Sequence, residues 1–121
     1  MADAQIEEEG ARACDPEAAL ARLGDDRELY REVLQRFFSD SPASVARIAA
    51  AIQRQSADEL HRAAHSYKGL AAMSGTEAVA RTAAELEQLG KRSQFTGASG
   101  LVARLERELD RARAELAPHF R

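Results

Sequence analysis

The chain has 121 residues, of which 45% are hydrophobic and 31% charged, and its formal net charge is −3. This length suits a single domain, and the balance of apolar and charged residues is that of a globular protein. The acidic balance argues against general nucleic-acid binding, which depends on basic side chains that neutralise phosphates. The single cysteine, Cys14, excludes an internal disulfide framework and a cysteine-rich zinc site.

The N-terminal residues differ from the rest of the chain. Residues 1–14 are acidic and poor in large apolar side chains, so we predict a flexible segment that ends at Cys14. A helical domain is predicted over residues 15–121. The segment lacks the basic-then-apolar order of a signal peptide, and no apolar run reaches the roughly 18 residues of a membrane span. We therefore expect a cytoplasmic protein without membrane contact.

The first predicted helices are bounded by capping residues and glycine. Asp15-Pro16-Glu17 is typical of a helix start, because Asp caps the helix and Pro fits its first position. Gly24 is expected to end this short helix. Asp25 or Asp26 then caps a helix whose apolar residues recur at spacings of three and four. Ser41-Pro42 predicts that this helix stops and another begins, because Pro cannot continue the hydrogen-bond ladder.

The second half of the chain predicts three further helices. Ser56-Ala-Asp-Glu59 has the form of a capping box and starts a helix that Gly75 ends. The next helix begins near Thr76, and the turn-rich residues 93–100 separate it from a last helix that ends near Pro118. Each helix has one apolar face and the connections are short. The predicted fold is all-α: an antiparallel four-helix bundle with a short N-terminal helix packed against it.

The helix that contains HRAAHSYKGLAAMSG (residues 61–75) carries the candidate chemistry. At about 100° per residue, its apolar stripe points away from His65, so the imidazole should face solvent. Gly69 costs a helix interior about 1 kcal/mol relative to Ala, and it lies near His65, so we interpret it as room for another molecule. Lys68 adds a positive charge that suits an imidazole accepting a phosphoryl group. The stripe assigned to the core contains Leu60, Ala63, Tyr67, Leu70 and Ala71.

A family resemblance rests on these residues. The stretch AHSYKG (residues 64–69), Gly75 ten residues after the histidine, and Leu86-Glu87 on the following helix resemble the signature of histidine-containing phosphotransfer (HPt) domains. The resemblance extends over residues 15–117. Tyr67 is a departure, since the family usually has Leu at that position, and its hydroxyl needs a partner or an exit to water.

The resemblance implies a carrier in a phosphorelay. His65 would accept a phosphoryl group from the aspartyl phosphate of a receiver domain, typically of a hybrid sensor kinase. It would pass the group to the aspartate of a response regulator. The chain has no Gly-rich nucleotide loop, so we expect no ATP-dependent kinase activity of its own and therefore no enzyme in that sense. We expect no cofactor, with Mg²⁺ supplied by the receiver, and a monomer that binds neither nucleic acid nor membrane.

Further site residues have expected roles. Lys68 would stabilise the phosphoryl charge and Gly69 would clear space for the partner. By the resemblance, Glu87 would accept a hydrogen bond from one ring nitrogen and fix the tautomer of His65. The expected partner surface contains His61, Arg62, Ala72 and Met73.

Two alternatives stay open at this point. His61 and His65 are four residues apart, as in zinc-binding helices, although a third ligand is not evident and Lys68 would repel a cation. The chain could also be an adaptor bundle that binds partners without phosphate chemistry. The presence of His65, Lys68 and Gly69 together disfavours that second alternative.

Overall fold

The computed structural model describes residues 12–121, which form five α-helices and no strand. The helices are α1 (Pro16–Arg22), α2 (Arg27–Gln53), α3 (Ala57–Met73), α4 (Glu77–Lys91) and α5 (Ala98–Phe120). In the bundle, α2 and α4 each contact both α3 and α5, and the short α1 packs against α2. This arrangement confirms the predicted all-α bundle. None of these helices is both long and apolar enough to cross a membrane.

The helix boundaries follow local capping chemistry. Asp15, Asp26 and Ser56 each accept a hydrogen bond from the backbone N–H three residues later, at 3.2, 3.0 and 3.3 Å. These bonds satisfy amide groups that have no partner within the helix. Gly24 and Gly75 follow the ends of α1 and α3 with φ of +68° and +79°, a conformation that glycine adopts at little cost.

The predicted break at Pro42 was wrong, because α2 continues through it. Pro in a helix interior costs about 3 kcal/mol, so packing must offset that loss. Ser41 donates a hydrogen bond to the Phe37 carbonyl at 2.7 Å and accepts one from the Tyr67 hydroxyl at 2.7 Å. Burial raises the pKa of Tyr67 to about 12, which keeps that hydroxyl protonated as a donor. The buried link to α3 thus holds α2 together at the proline.

The C-terminal helix is longer than predicted at both ends. It begins at Ala98, inside the expected loop, and it passes through Pro118 to Phe120. Ala98 is fully buried, which draws the helix start into the core. The ring of Phe120 lies against that of Phe38, with centroids 5.2 Å apart, so the last turn is fixed to α2. Tertiary contacts therefore extend this helix beyond its local sequence signals.

Residues 13–15, which directly precede α1, are also attached to the bundle. Cys14 is fully buried, and burial raises the pKa of its thiol to about 12. The Ala13 carbonyl accepts a hydrogen bond from the Ala78 N–H at 2.9 Å, and the Asp15 N–H donates to the Gly75 carbonyl at 2.8 Å. Residues 1–11 of the predicted flexible segment lie outside the described residues. The division of the chain at residue 14 stays a prediction.

Candidate functional site

His65 lies on the side of α3 that faces away from the core. Its side chain is 64% exposed, which confirms the predicted exposure of the imidazole. Leu70 was wrongly placed in the core stripe, since it is 46% exposed, and Ala64 is buried instead. The reason is geometric: Leu70 lies at the boundary of the buried face, where the neighbouring helix decides whether a side chain is covered.

Glu87 of α4 lies at the centre of the site beneath the histidine. Its side chain is only 7% exposed, and its Oε2 lies 2.8 Å from Nδ1 of His65. Its other oxygen, Oε1, lies 2.7 Å from Nζ of Lys68. A carboxylate only accepts hydrogen bonds, so Nδ1 carries the ring proton in the neutral imidazole. The lone pair is then on Nε2.

Two hydrogen-bond donors, Lys68 and His65, keep the Glu87 carboxylate ionised. The hydrogen bond from Lys68 lowers the pKa of the Glu87 carboxyl, burial opposes this, and the hydrogen bond from His65 lowers it further. The net effect is a pKa below the ordinary value for glutamate. A carboxylate that is ionised and nearly buried is therefore fixed beside the imidazole at neutral pH.

His61 also reaches Glu87, a contact that the sequence did not indicate. Its Nε2 lies 3.5 Å from Glu87 Oε2, and its ring centroid is 6.2 Å from that of His65. Among residues 12–121 there is no group of three His, Cys, Asp or Glu side chains arranged to hold a metal ion. The two histidines instead share a carboxylate that is already paired with Lys68.

The surface around His65 has room for a second molecule. Apart from the adjacent residues and the backbone of its own helix turn, a Cβ built on Gly69 would meet no described heavy atom within 4 Å, so no other part of the bundle crowds the helix one turn beyond the histidine. Arg62 is exposed and pairs with Asp58. Ala72 is half-buried, and its carbonyl accepts a hydrogen bond from Arg22 of α1 at 2.8 Å.

An apolar groove runs between α2 and α3, one to two turns beyond His65 along α3. Leu70 and Met73, respectively 46% and 52% exposed, form one side of it. Arg36 and Asp40 stand on the opposite side. The remaining lining residues are Val33, Phe37, Ser41, Ser44, Tyr67 and Ser74. The site thus combines an exposed imidazole, a fixed carboxylate and an adjoining apolar surface.

Comparison with known proteins identifies the family. The profile of the Hpt domain matches residues 32–115, a span from the first half of α2 to the last part of α5. The chain belongs to the Hpt domain family. The crystal structure of histidine-containing phosphotransfer protein B (HptB) from Pseudomonas aeruginosa PAO1 is similar to this Hpt domain, with a TM-score of 0.80 and 27% sequence identity. The match covers 89% of this chain and 94% of that chain. The search of curated protein sequences found no match to this Hpt domain.

Membership confirms the function predicted at the level of the family. This Hpt domain is an intermediate of a phosphorelay in two-component signalling, and Hpt domains are phosphotransfer carriers. Their partners are receiver domains and response regulators. The four residues predicted to act together, His65, Lys68, Gly69 and Glu87, do lie at one place in the fold.

Two features of the site gave no motif signal in the sequence. One is the contact between His61 and Glu87, which depends on how α3 and α4 cross. The other is Gly90, a second helical glycine one turn beyond Glu87, where α4 approaches α3 closely. Glycine weakens a helix relative to alanine, so a glycine on the apolar face of a predicted helix indicates close helix packing. Gly90 could have been noticed in the sequence on that ground.

Proposed function

We propose that His65 is the phosphoacceptor of this Hpt domain. It would take a phosphoryl group from the aspartyl phosphate of a receiver domain, typically of a hybrid sensor kinase, and give it to the aspartate of a response regulator. The observation that carries the proposal is the exposed imidazole whose Nδ1 lies 2.8 Å from the nearly buried Glu87. An exposed Nε2 with a lone pair is the nucleophile that this chemistry needs.

The proposed transfer balances without a proton leaving the ring. Nε2 donates its lone pair to phosphorus while the bond between phosphorus and the aspartyl oxygen breaks, and the receiver's aspartate leaves as a carboxylate. Nδ1 keeps its proton, so the phosphorylated ring carries a positive charge. Glu87 stabilises that charge across the 2.8 Å contact. In the onward step, the regulator's aspartate attacks phosphorus and the bonding electron pair returns to Nε2.

Lys68 and Gly69 have supporting roles in this proposal. Nζ of Lys68 uses one of its three N–H donors on Glu87, which leaves two for a phosphoryl oxygen. Gly69 leaves the approach to the ring open to the receiver's loops. Phosphoryl transfer depends mainly on positioning and on charge stabilisation, and these residues supply both.

The docking surface proposed for the receiver combines the imidazole with the apolar groove. His61, Arg62, Ala72 and Met73 lie on the same helix as His65 and would form the polar and apolar parts of this surface. Met73 is an exposed apolar side chain, and such side chains are typical of transient interfaces. We propose that the receiver brings the Mg²⁺, so that this chain needs no cofactor and has no ATP-dependent kinase activity. As part of the same proposal, the protein acts as a monomer in the cytoplasm, where phosphorelay partners act.

Replacement of the histidine tests the assignment. His65→Gln should abolish phosphorylation by a ³²P-labelled receiver domain, while the helical circular dichroism signal stays unchanged. His119→Gln is the matched control, because it removes a histidine on α5 that packs against Tyr30. The label should be labile in acid and stable in base, as expected for phosphohistidine. Equal labelling of His65→Gln and the unchanged chain would refute the proposal.

A further inference from the structure

Helices α3 and α4 come into backbone contact at Gly90. A Cβ built on Gly90 would lie 2.5 Å from the backbone nitrogen of His61 and 2.8 Å from its Cα. It would also lie 3.0 Å from the carbonyl oxygen of Ala57. These are backbone atoms, which cannot rotate out of the way as the end of a side chain can. Any other residue at this position would push the two helices apart.

Helix termination does not account for this glycine. Gly90 lies within α4, which continues to Lys91, and the left-handed conformation after the helix falls on Ser93, with φ of +53°. Glycine weakens a helix relative to alanine, so its presence inside α4 has no local benefit. The close approach to His61 is the remaining physical reason for it.

This crossing point is one helical turn from the functional site. Gly90 follows Glu87 by three residues on α4, and His61 precedes His65 by four residues on α3, so each pair shares one face of its helix. The two helices run antiparallel across a short connection. The contact between Gly90 and His61 therefore adjoins the contact between Glu87 and His65.

We propose that Gly90 is a positioning residue for phosphoryl transfer. By allowing α4 to contact the backbone of α3, it places the Glu87 carboxylate within hydrogen-bond distance of Nδ1 of His65 and Nζ of Lys68. Ordinary van der Waals contact of a Cβ begins at 3.4 Å. To reach it, the helices must separate by about 1 Å, which would lengthen the 2.8 Å contact beyond hydrogen-bond range.

The test compares Gly90→Ala with Gly100→Ala. Gly100 lies in α5, where an added Cβ meets no described heavy atom within 4 Å beyond the adjacent residues and its own helix turn, so the control makes the same chemical change without a clash. The ¹⁵N shifts of the His65 ring report its tautomer, and phosphoramidate, a small phosphoryl donor, reports the reactivity of Nε2 without any docking partner. Gly90→Ala should lose the preference for the Nδ1–H tautomer and react about 10- to 100-fold more slowly. Gly100→Ala should match the unchanged chain in both measurements. Unchanged tautomer and rate in Gly90→Ala would overturn the proposal.

A double-mutant cycle separates positioning from general damage to the fold. If Gly90 acts through Glu87, Gly90→Ala should have little further effect on the rate in a Glu87→Ala background, where no side-chain acceptor is left to be displaced. The same fold reduction in both backgrounds would overturn the proposal. If Gly90→Ala does not fold, Glu87→Asp provides the second test, because it withdraws the carboxylate by one methylene with the helix crossing unchanged. If Glu87→Asp then had the same His65 tautomer and the same reaction rate as the unchanged chain, the proposed role of Gly90 would be overturned.

The kinetic part of this inference rests on the proposed role of His65, whereas the tautomer measurement does not. If His65→Gln were still labelled by a receiver, the proposed function would fail. A loss of the Nδ1–H tautomer in Gly90→Ala would even then show that Gly90 positions Glu87. If His65→Gln loses its label and Gly90→Ala keeps the tautomer, only the positioning role of Gly90 fails.

Discussion

Glu87→Gln removes the negative charge beside His65 and keeps nearly the same side-chain shape. The amide oxygen can still accept a hydrogen bond from Nδ1, so the tautomer of His65 is retained. What changes is the electrostatic stabilisation of the ring as Nε2 bonds to phosphorus. The expected result is slower transfer with an unchanged site of phosphorylation.

The size of the effect follows from the distances in the site. The contact between Nδ1 and Oε2 is 2.8 Å, which puts the centres of the two charged groups about 4 Å apart, where unit charges interact by about 4 kcal/mol at an effective dielectric constant of 20. The transition state of phosphoryl transfer is loose, so only part of the positive charge has formed. With half of the charge present, about 2 kcal/mol is lost, which is roughly a 30-fold reduction in rate.

The assay is rapid-quench measurement of transfer from a phosphorylated receiver domain, repeated with phosphoramidate. Glu108→Gln is the control, since it neutralises another carboxylate between α4 and α5, one that binds Thr82 and Arg104. Glu108→Gln should leave both rates unchanged. A reduction of less than about threefold in Glu87→Gln, measured with both donors, would show that charge stabilisation by Glu87 is not part of the mechanism.

Three further predictions follow from the same contacts. Lys68→Ala should still be phosphorylated on His65, but about 10-fold more slowly, because the negative charge of the phosphoryl group loses the cation that stabilises it. Equal phosphorylation rates in Lys68→Ala and the unchanged chain would leave the lysine without a role in transfer. Gly69→Gln should keep or raise the melting temperature, yet slow transfer from a receiver and not from phosphoramidate, because the added side chain blocks only the larger donor. Equal receiver rates would remove this explanation of the glycine. The unchanged chain should be more stable than Glu87→Gln by about 1 kcal/mol at pH 7, measured by denaturant unfolding. The pKa of Glu87 is lowered in the folded state, so this stability difference is complete above the ordinary pKa of 4.5 and disappears as the pH falls through the lower folded-state pKa. A stability difference that is constant between pH 7 and pH 3 would contradict the pairing.

Local signals in the sequence predicted most helix starts but not the continuity of the helices. Asp15 and Ser56 were recognisable as caps because a cap acts on the amide groups of its own first turn, and the structure assigns the third cap to Asp26 rather than Asp25. Pro42 and Pro118 were expected to end helices, and both lie inside them. The contacts that offset these prolines come from residues distant in the chain, such as Tyr67 for Pro42.

The sequence by itself determined that His65 faces solvent, because a histidine opposite the apolar stripe of an amphipathic helix points away from the core. It also determined the family, through the spacing of residues 64–69, Gly75 and Glu87. Only the tertiary structure decided that Glu87 contacts His61, His65 and Lys68 together, and that α4 meets the backbone of α3 at Gly90. The physical reason is that a helical wheel gives directions around one axis, whereas hydrogen bonds between helices depend on how closely two axes approach.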